Sequence, residues 1–173
     1  GALFDSQGNL LIKEEIPTHA EHGEEAFIDN IASFVKTLQG GQSAPTSLGI
    51  GIAGVIDKQR ETLLESPNLP RFNDFSLKKL LETKLQIPVF IENDANCAAL
   101  GELWAGEGKG LDSFLLLTLG TGIGSGLILN GKLWTGEVGK AGECGHIVVT
   151  PNGAACACGK QGCLEAHSSG TAI

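Results

Sequence analysis

The segment from His146 to Cys163 constrains the fold of this chain more than any other part of the sequence. It contains one imidazole and three thiols, in the order His146 and then Cys156-Ala-Cys158-Gly-Lys-Gln-Gly-Cys163. This donor set matches a closed tetrahedral zinc site, which leaves no open position for water. Glycines at 159 and 162 let the loop turn back so that the sulfurs converge. We therefore predict a structural Zn²⁺ ion with the ligands His146, Cys156, Cys158 and Cys163.

A disulfide, or a loop of reduced thiols, is the alternative to zinc in this segment. The chain has five cysteines, an odd number, and shows no secretion signal, and both facts favour a metal. The other two cysteines have different interpretations. Cys97 is expected to be a small core residue in a helix, and Cys144 is a less favoured ligand because it adjoins Glu143.

The composition is that of an ordinary globular protein with an acidic surface. Strictly apolar runs such as Phe114–Leu117 are strand-sized, whereas a bilayer-spanning helix needs about 20 apolar residues. No signal peptide opens the sequence, so we expect a cytoplasmic protein without a membrane partner. The formal net charge of −8 argues against nucleic-acid binding through this segment, because such binding depends on clustered Lys and Arg.

Hydrophobic periodicity predicts strands that alternate with helices. Helices are predicted over Glu24–Leu38, over Leu77–Leu85 and from the Glu92–Asn96 turn to about Trp104. Strands are predicted at Ala2–Phe4, Leu10–Ile16, Ser47–Ala53, Thr62–Leu64, Ile87–Ile91, Ser113–Leu119, Gly126–Leu129, Lys132–Trp134 and Ile147–Val149. This order indicates an α/β fold with a mixed sheet and flanking helices. A composition break near 109–112 suggests one lobe over 1–108 and the start of a second over 109–173.

The sequence Glu92-Asn93-Asp94-Ala95-Asn96 lies where an apolar strand ends and a helix begins. Ligands bind at such positions in open α/β sheets. Asn and Asp are also the preferred helix N-caps, so a purely structural interpretation stays open. A cap needs one such residue, however, and this turn carries four polar groups in five residues.

A second turn, Leu119-Gly-Thr-Gly-Ile-Gly-Ser-Gly126, alternates glycines between two predicted strands. Exposed backbone N–H groups in such a turn can hold phosphate. No Lys follows, which excludes a Walker loop, and a strand follows instead of a helix, which excludes a dinucleotide fingerprint. A plain glycine-rich hairpin is the alternative interpretation.

Two acidic residues, Glu143 and Glu165, flank the predicted zinc loop. The ion would hold both carboxylates and the imidazole of His146 near one another. Carboxylates and an imidazole in one pocket make hydrogen bonds suited to a polyol. A solvated surface charge is the alternative for either carboxylate taken alone.

Taken together and in this order, the motifs resemble the ROK family of sugar kinases and sugar-responsive repressors. The most specific parts are Glu143-x-Gly-His146 and the Cys-x-Cys-Gly-x-x-Gly-Cys-Leu-Glu run that ends at Glu165. The resemblance covers nearly the whole chain. It implies an actin-like ATPase (ribonuclease H-like) fold with two α/β lobes around a cleft that closes on ATP and sugar. It also implies a homo-oligomer, a dimer or larger.

The resemblance implies roles for the matching residues. Asp94 would be the catalytic base, taking the proton of the sugar 6-hydroxyl during phosphoryl transfer. Mg²⁺ arriving with ATP would bridge the phosphates. His146 would place one ring nitrogen on zinc and the other toward the sugar. The sugar-binding residues would be Asn68, Asn93, Asp94, Glu143, His146 and Glu165, and the residues lining the ATP phosphates would be Gly120, Thr121, Gly122 and Gly124.

The sequence departs from the family pattern in three places. Family kinases carry an Asp-x-Gly-Gly-Thr phosphate turn just before a strand like 1–4, and this sequence begins after it. It also stops at Ile173, where the region leading into the adenine-binding part begins. We therefore expect that these residues alone do not turn over ATP. Phe72 stands where many relatives have Trp, which leaves the identity of the sugar open.

The expected reaction is ATP-dependent phosphorylation of a hexose, with glucose giving glucose 6-phosphate as the first candidate. The Pro-Asn-Leu-Pro loop is glucokinase-like and also resembles N-acetylmannosamine kinases. The alternative is a sugar-sensing transcriptional repressor of the same family, with a helix-turn-helix segment before residue 1. A third interpretation, a zinc-stabilised structural domain with an inactive pocket, would not need Glu143 and Glu165.

Overall fold

The structure is a computed structural model that describes residues 1–173. Its strands are β1 (Ala2–Phe4), β2 (Leu10–Lys13), β3 (Leu48–Ile52), β4 (Val55–Ile56), β5 (Leu63–Glu65), β6 (Val89–Asn93), β7 (Phe114–Leu119), β8 (Ile123–Leu129) and β9 (Lys132–Leu133). Its α-helices are α1 (Glu24–Gln39), α2 (Leu77–Leu85), α3 (Asp94–Ala105) and α4 (Leu164–Ser168). None of these helices has the length and apolarity needed to cross a membrane.

The strands lie in four small sheets instead of one mixed sheet. Strands β3 and β6 form a parallel pair whose register ends with Ile52 opposite Asn93. The pairs β1–β2 and β4–β5 and the three-stranded sheet β7–β8–β9 are antiparallel. The mixed α/β architecture is confirmed in this form, with one parallel pair and three antiparallel units.

The hydrophobic core lies where helices α1 and α2 pack on the parallel pair. Val89 and Ile91 of β6 are almost completely buried. Phe72 is 1% exposed, and its ring centroid lies 5.0 Å from those of both Phe27 and Phe75, with edge-to-face geometry. Such pairs stabilise a core beyond the area that they bury. Phe72 is therefore a core residue.

Helix α3 packs directly on β8 because that strand is rich in glycine. A Cβ atom at Gly126 would lie 2.6 Å from Cβ of Ala99 and 2.8 Å from the carbonyl oxygen of Ala95. The boundary expected between residues 108 and 109 therefore falls between a helix and the sheet on which that helix packs. The division into two lobes stays a prediction.

Several predicted elements differ from those observed. The strand predicted over Leu10–Ile16 ends at Lys13, and the strand predicted over Ile87–Ile91 is observed over Val89–Asn93. The short elements β4 and α4 were not predicted.

Two further differences affect the cysteine loop and β8. The predicted strand Ile147–Val149 is wrong, because only Val148 pairs, through an isolated bridge to Cys163. The strand predicted from Gly126 begins at Ile123, three residues earlier, and pairs there with Leu119. Residues 147–149 instead make single backbone hydrogen bonds to the cysteine loop. Strand β8 starts earlier than predicted because its glycines allow it to lie close to α3.

Candidate functional site

The polar turn where β6 ends and α3 begins is both a helix cap and a candidate ligand site. Oδ1 of Asn93 accepts hydrogen bonds from the backbone N–H groups of Ala95 (2.9 Å) and Asn96 (3.1 Å). Nδ2 of Asn93 donates to the carbonyl oxygen of Gly54 at 3.1 Å. Asn93 is thus the N-cap of α3, and one N–H of its amide is left for a ligand.

Asp94 follows the cap and has an exposed side chain. Its Oδ1 accepts from the backbone N–H of Ala95 at 2.9 Å, and no hydrogen bond to Oδ2 is present. The same N–H also donates to Oδ1 of Asn93, so the carboxylate of Asp94 shares its one hydrogen bond and is otherwise free. A general base needs this open access together with a position within reach of the hydroxyl.

The loop that carries Asn68 is anchored beside this turn. The hydroxyl of Ser66 donates to the carbonyl oxygen of Ala53 at 2.6 Å, and the next carbonyl, that of Gly54, accepts from Asn93. Two consecutive carbonyl groups after β3 therefore hold the loop and the polar turn next to each other. The side chain of Asn68 is exposed and makes no hydrogen bond within the chain.

Four donor atoms converge in the cysteine-rich segment, as the sequence predicts. One donor atom from each of His146, Cys156, Cys158 and Cys163 lies within 4.8 Å of the others. The sulfurs of Cys158 and Cys163 are 3.7 Å apart, too far for a disulfide, and Nδ1 of His146 is 3.6 Å from the sulfur of Cys156. In a tetrahedral site with Zn–S distances of about 2.3 Å, neighbouring sulfurs are about 3.8 Å apart. The cluster therefore fits zinc, and Cys144 lies outside it.

The backbone of this loop depends on its two glycines. Gly159 and Gly162 have φ values of 85° and 78°, in the left-handed region that favours glycine. A Cβ atom at Gly162 would collide with the carbonyl oxygen of Thr150, whereas the corresponding space at Gly159 is open. Gly162 therefore packs the loop against its neighbouring turn, and Gly159 only reverses the chain.

Burial raises the pKa of the Cys163 thiol to about 11, and the hydrogen bond to the thiols of Cys158 and Cys156 acts in the same direction. A hydrogen bond from the backbone N–H of Lys160 lowers the pKa of Cys158. Since zinc ligands bind as thiolates, the ion would displace the protons that the metal-free thiols hold.

Glu165 connects the cysteine loop to the glycine turn. Its Oε2 accepts from the backbone N–H of Ile123 at 2.8 Å, and its Oε1 lies 3.9 Å from the sulfur of Cys156. A Cβ atom at Gly122 would collide with this carboxylate. Glu165 is therefore not a solvated surface charge. Glu143, in contrast, has an exposed side chain without a hydrogen bond within the chain, so both of its interpretations stay open.

The four residues predicted to line phosphates have different environments. Gly120 and Thr121 are exposed at the turn, and the space beside Gly120 is open. A Cβ atom at Gly124 would lie 2.6 Å from the hydroxyl of Thr118 and 3.0 Å from Cβ of Ala95. The absence of a side chain at Gly124 is thus explained by packing on α3. Gly120 and Thr121 are the better candidates for contact with a ligand, and the backbone N–H of Thr121 is the one left for a phosphate, because that of Gly120 donates to the carbonyl oxygen of Gly122 at 3.0 Å.

A series of contacts connects the separate motifs. The Asn68 loop and the Asp94 turn are bonded to consecutive carbonyl groups after β3. Ala95 of the turn lies against β8, and Ile123 of β8 is bonded to Glu165. The sequence missed one group here, the side chain of Arg60, whose Nε lies 2.8 Å from Oε2 of Glu92. No sequence motif indicates this ion pair, since the two residues are far apart in the sequence.

Comparison with known proteins identifies relatives over nearly the whole chain. A family model described as the ROK family matches residues 1–173. The chain is 44% identical over 171 residues to the glucokinase of Thermotoga maritima, covering 99% of this chain and 54% of that protein. It is 34% identical over 171 residues to the xylose repressor of Caldicellulosiruptor bescii, covering 99% and 42%.

A solved structure extends the comparison to the fold. The ROK family glucokinase of Streptomyces griseus, in complex with glucose and AMPPNP, is 40% identical and superposes with a TM-score of 0.85. The match covers 99% of this chain and 54% of that one. The chain thus spans about half the length of the curated glucokinases that it matches.

Proposed function

Because this chain belongs to the ROK family, we propose that it binds a hexose and supports its phosphorylation by ATP. Glucose is the first candidate, with glucose 6-phosphate as the product. The observation that carries the proposal is the exposed carboxylate of Asp94 at the first residue of α3, whose Oδ2 is free. The resemblance to glucokinases at 42–44% identity supports the same reaction.

Asp94 is proposed to accept the proton of the sugar 6-hydroxyl as that oxygen attacks the γ-phosphate of ATP. Phosphoryl transfer depends mainly on positioning and charge neutralisation, so one well-placed carboxylate is sufficient as base. The free N–H of the Asn93 amide and the exposed side chains of Asn68 and Glu143 are proposed to bind other hydroxyls. ATP is proposed to arrive with Mg²⁺, which prefers phosphate oxygens and water to an all-protein cage.

The zinc cluster is proposed to organise this site without taking part in the reaction. His146, Cys156, Cys158 and Cys163 would hold the ion, which supplies four fixed coordination directions to the loop. Nδ1 of His146 faces the sulfur of Cys156, so Nε2 is the nitrogen proposed to donate to the sugar. Oε1 of Glu165 is proposed to accept from a second hydroxyl. Gly120 and Thr121 are proposed to contact phosphates, with Gly122 and Gly124 supporting the turn.

A coupled assay of ADP formation by the full-length protein tests this function. The sugars are glucose, mannose, fructose, N-acetylglucosamine and N-acetylmannosamine, each at several concentrations. Turnover with one of them supports the proposal and identifies the substrate. The absence of turnover with all five would overturn it.

A sugar-responsive repressor is the second candidate function, favoured by the 34% identity to a xylose repressor. The same residues would then bind the sugar without transferring phosphate. Saturable binding of a sugar by calorimetry, together with no ADP formation, would support this alternative. The exposed Asp94 favours the kinase, because a sensor has no need of a base.

A further inference from the structure

Next to the Asn93–Asp94 turn, the side chains of Arg60, Glu92 and Asn96 contact one another in a group that the proposed reaction does not use directly. The central residue of this group is Glu92, whose side chain is 13% exposed. Oε1 of Glu92 accepts from the backbone N–H of Asn93 at 3.0 Å and from Nδ2 of Asn96 at 2.9 Å. A single carboxylate oxygen therefore holds the residues on both sides of Asp94.

Arg60 supplies the charge that faces the other oxygen of Glu92. Its Nε lies 2.8 Å from Oε2 of Glu92. The N–H bond does not point at this oxygen, so the contact is an ion pair and Oε2 accepts no hydrogen bond. Arg60 has a φ of 57°, in the left-handed region that non-glycine residues rarely adopt. Oδ1 of Asp57 fixes this turn by accepting from the backbone N–H groups of Glu61 (2.7 Å) and Thr62 (3.0 Å). The β4–β5 hairpin thus holds a disfavoured conformation that directs a guanidinium toward Glu92.

Asn96 is the third residue of the group, and its burial is energetically unfavourable. It is 5% exposed, and its Oδ1 has no hydrogen-bond partner in the protein. A buried acceptor without a partner is unfavourable, and an alanine in this helical position would avoid it. Only the donor group of the amide has a partner, which is Glu92. The carboxylate also fixes the orientation of the amide, since the flipped amide would bring two oxygens together.

We propose that Arg60, Glu92 and Asn96 are positioning residues that hold the turn and thereby fix the carboxylate of Asp94. This inference rests on the proposed function, because it assigns the three residues to the same reaction. A base must lie within hydrogen-bond reach of the hydroxyl, and a displacement of about 1 Å costs on the order of a hundredfold in rate. Arg60 also offsets the negative charge that Glu92 places next to Asp94.

The kinetic test uses Glu92→Gln and Arg60→Gly in the full-length protein. Gln keeps the shape of Glu92 without its charge, and Gly suits the left-handed backbone at residue 60. Both variants are expected to lower kcat about tenfold or more and to raise KM for the sugar by a smaller factor, since Asn93 in the same turn is one of several proposed sugar contacts. The double variant is expected to be no slower than Glu92→Gln alone, because both changes remove the same contact between Arg60 and Glu92. Lys58→Met is the matched control with wild-type kcat, since Lys58 in the same turn pairs with Glu137 instead.

Amide hydrogen exchange on the same variants gives a readout that does not need turnover. The N–H groups of Asn93 and Asn96 are expected to exchange about tenfold faster or more in Glu92→Gln and Arg60→Gly, and at the wild-type rate in Lys58→Met. Unchanged exchange, or equal losses in kcat and sugar affinity that track a lower Tm, would overturn the positioning role. Asp94→Asn is assayed in parallel. If that variant stays active, the proposed role of Asp94 is wrong, while the exchange rates still decide whether Arg60, Glu92 and Asn96 hold the turn.

Discussion

At the scale of single residues, two glycines of the cysteine loop separate conformational from packing effects. Both have left-handed φ values, so Ala at either position costs about 1 kcal/mol from backbone strain. At Gly162 the added methyl group would also collide with the carbonyl oxygen of Thr150. Gly162→Ala is therefore expected to lower the free energy of unfolding by an additional 1–3 kcal/mol or so. Thermal unfolding and zinc content of the two variants measure the difference, and equal effects would show that the contact with Thr150 does not constrain the loop.

Two asparagines near the candidate base are expected to respond differently to truncation. Asn93 caps α3 through two hydrogen bonds, so Asn93→Ala should destabilise the protein by about 1 kcal/mol. Asn68 is exposed and makes no hydrogen bond within the chain, so Asn68→Ala should leave Tm unchanged and weaken sugar binding about fivefold or more. Calorimetric unfolding and sugar titration test both variants. Unaltered sugar affinity in Asn68→Ala would remove that residue from the site.

The residue scale also shows where sequence reasoning stops. The sequence predicted the zinc ligand set because the chemistry of Cys and His and the glycine spacing are local properties. It left Asn93 undecided between a cap and a ligand, and the structure shows that the cap uses most of the side chain. Arg60 was missed because its contact with Glu92 depends on how the β4–β5 hairpin packs, which residue spacing does not encode.

At the scale of secondary-structure elements, the packing of α3 on β8 gives a sharp prediction. A Cβ atom at Gly126 would lie 2.6 Å from Cβ of Ala99, so Gly126→Ala should cost about 1–3 kcal/mol by overpacking. Gly101 lies in the same helix with open space beside it, and Gly101→Ala should stabilise the protein by about 0.5–1 kcal/mol. Denaturant unfolding compares the two. A neutral Gly126→Ala would contradict the close approach of helix and strand.

The two amphipathic helices α1 and α2 were predicted more accurately than the strands, for a physical reason, whereas the short α4 was not predicted. Helices α1 and α2 have a strong apolar periodicity, and their predicted bounds agree with the structure to within one residue. The start of β8 was missed because glycines carry no strand signal, and its extended conformation is fixed by pairing with β7 and contact with α3. Ile147–Val149 has strand-like composition, but the turns of the cysteine loop leave only Val148 paired.

At the scale of the whole molecule, the zinc loop is expected to affect the sugar site through Glu165. Removal of the metal by a chelator should loosen the loop, disturb the bond from Ile123 to Glu165 and weaken sugar binding. Elemental analysis of protein purified without chelators is expected to find one zinc ion per chain. Readdition of zinc should restore the sugar affinity. Protein that contains no zinc, or an affinity that does not change on chelation, would contradict this account.

The mixed α/β class was predictable at this scale, whereas the division into four small sheets was not. Alternating helices and strands indicate the class from local patterns alone. Sheet membership depends on pairing between distant segments, such as β3 with β6, and the order of strands in the sequence does not determine it. The contacts that connect the loop at Asn68, the turn at Asp94 and helix α4 at Glu165 are long-range in the same sense.

Asp94 is proposed to act as the base in transfer of phosphate from ATP to a hexose. The most direct test compares ADP formation by the full-length protein and its Asp94→Asn variant, with sugar affinity measured on both. General bases contribute about 10²–10⁴ in rate, so the variant should lose at least about a hundredfold in kcat while the sugar Kd stays within about threefold. A variant that turns over at nearly the wild-type rate would show that Asp94 is not the base.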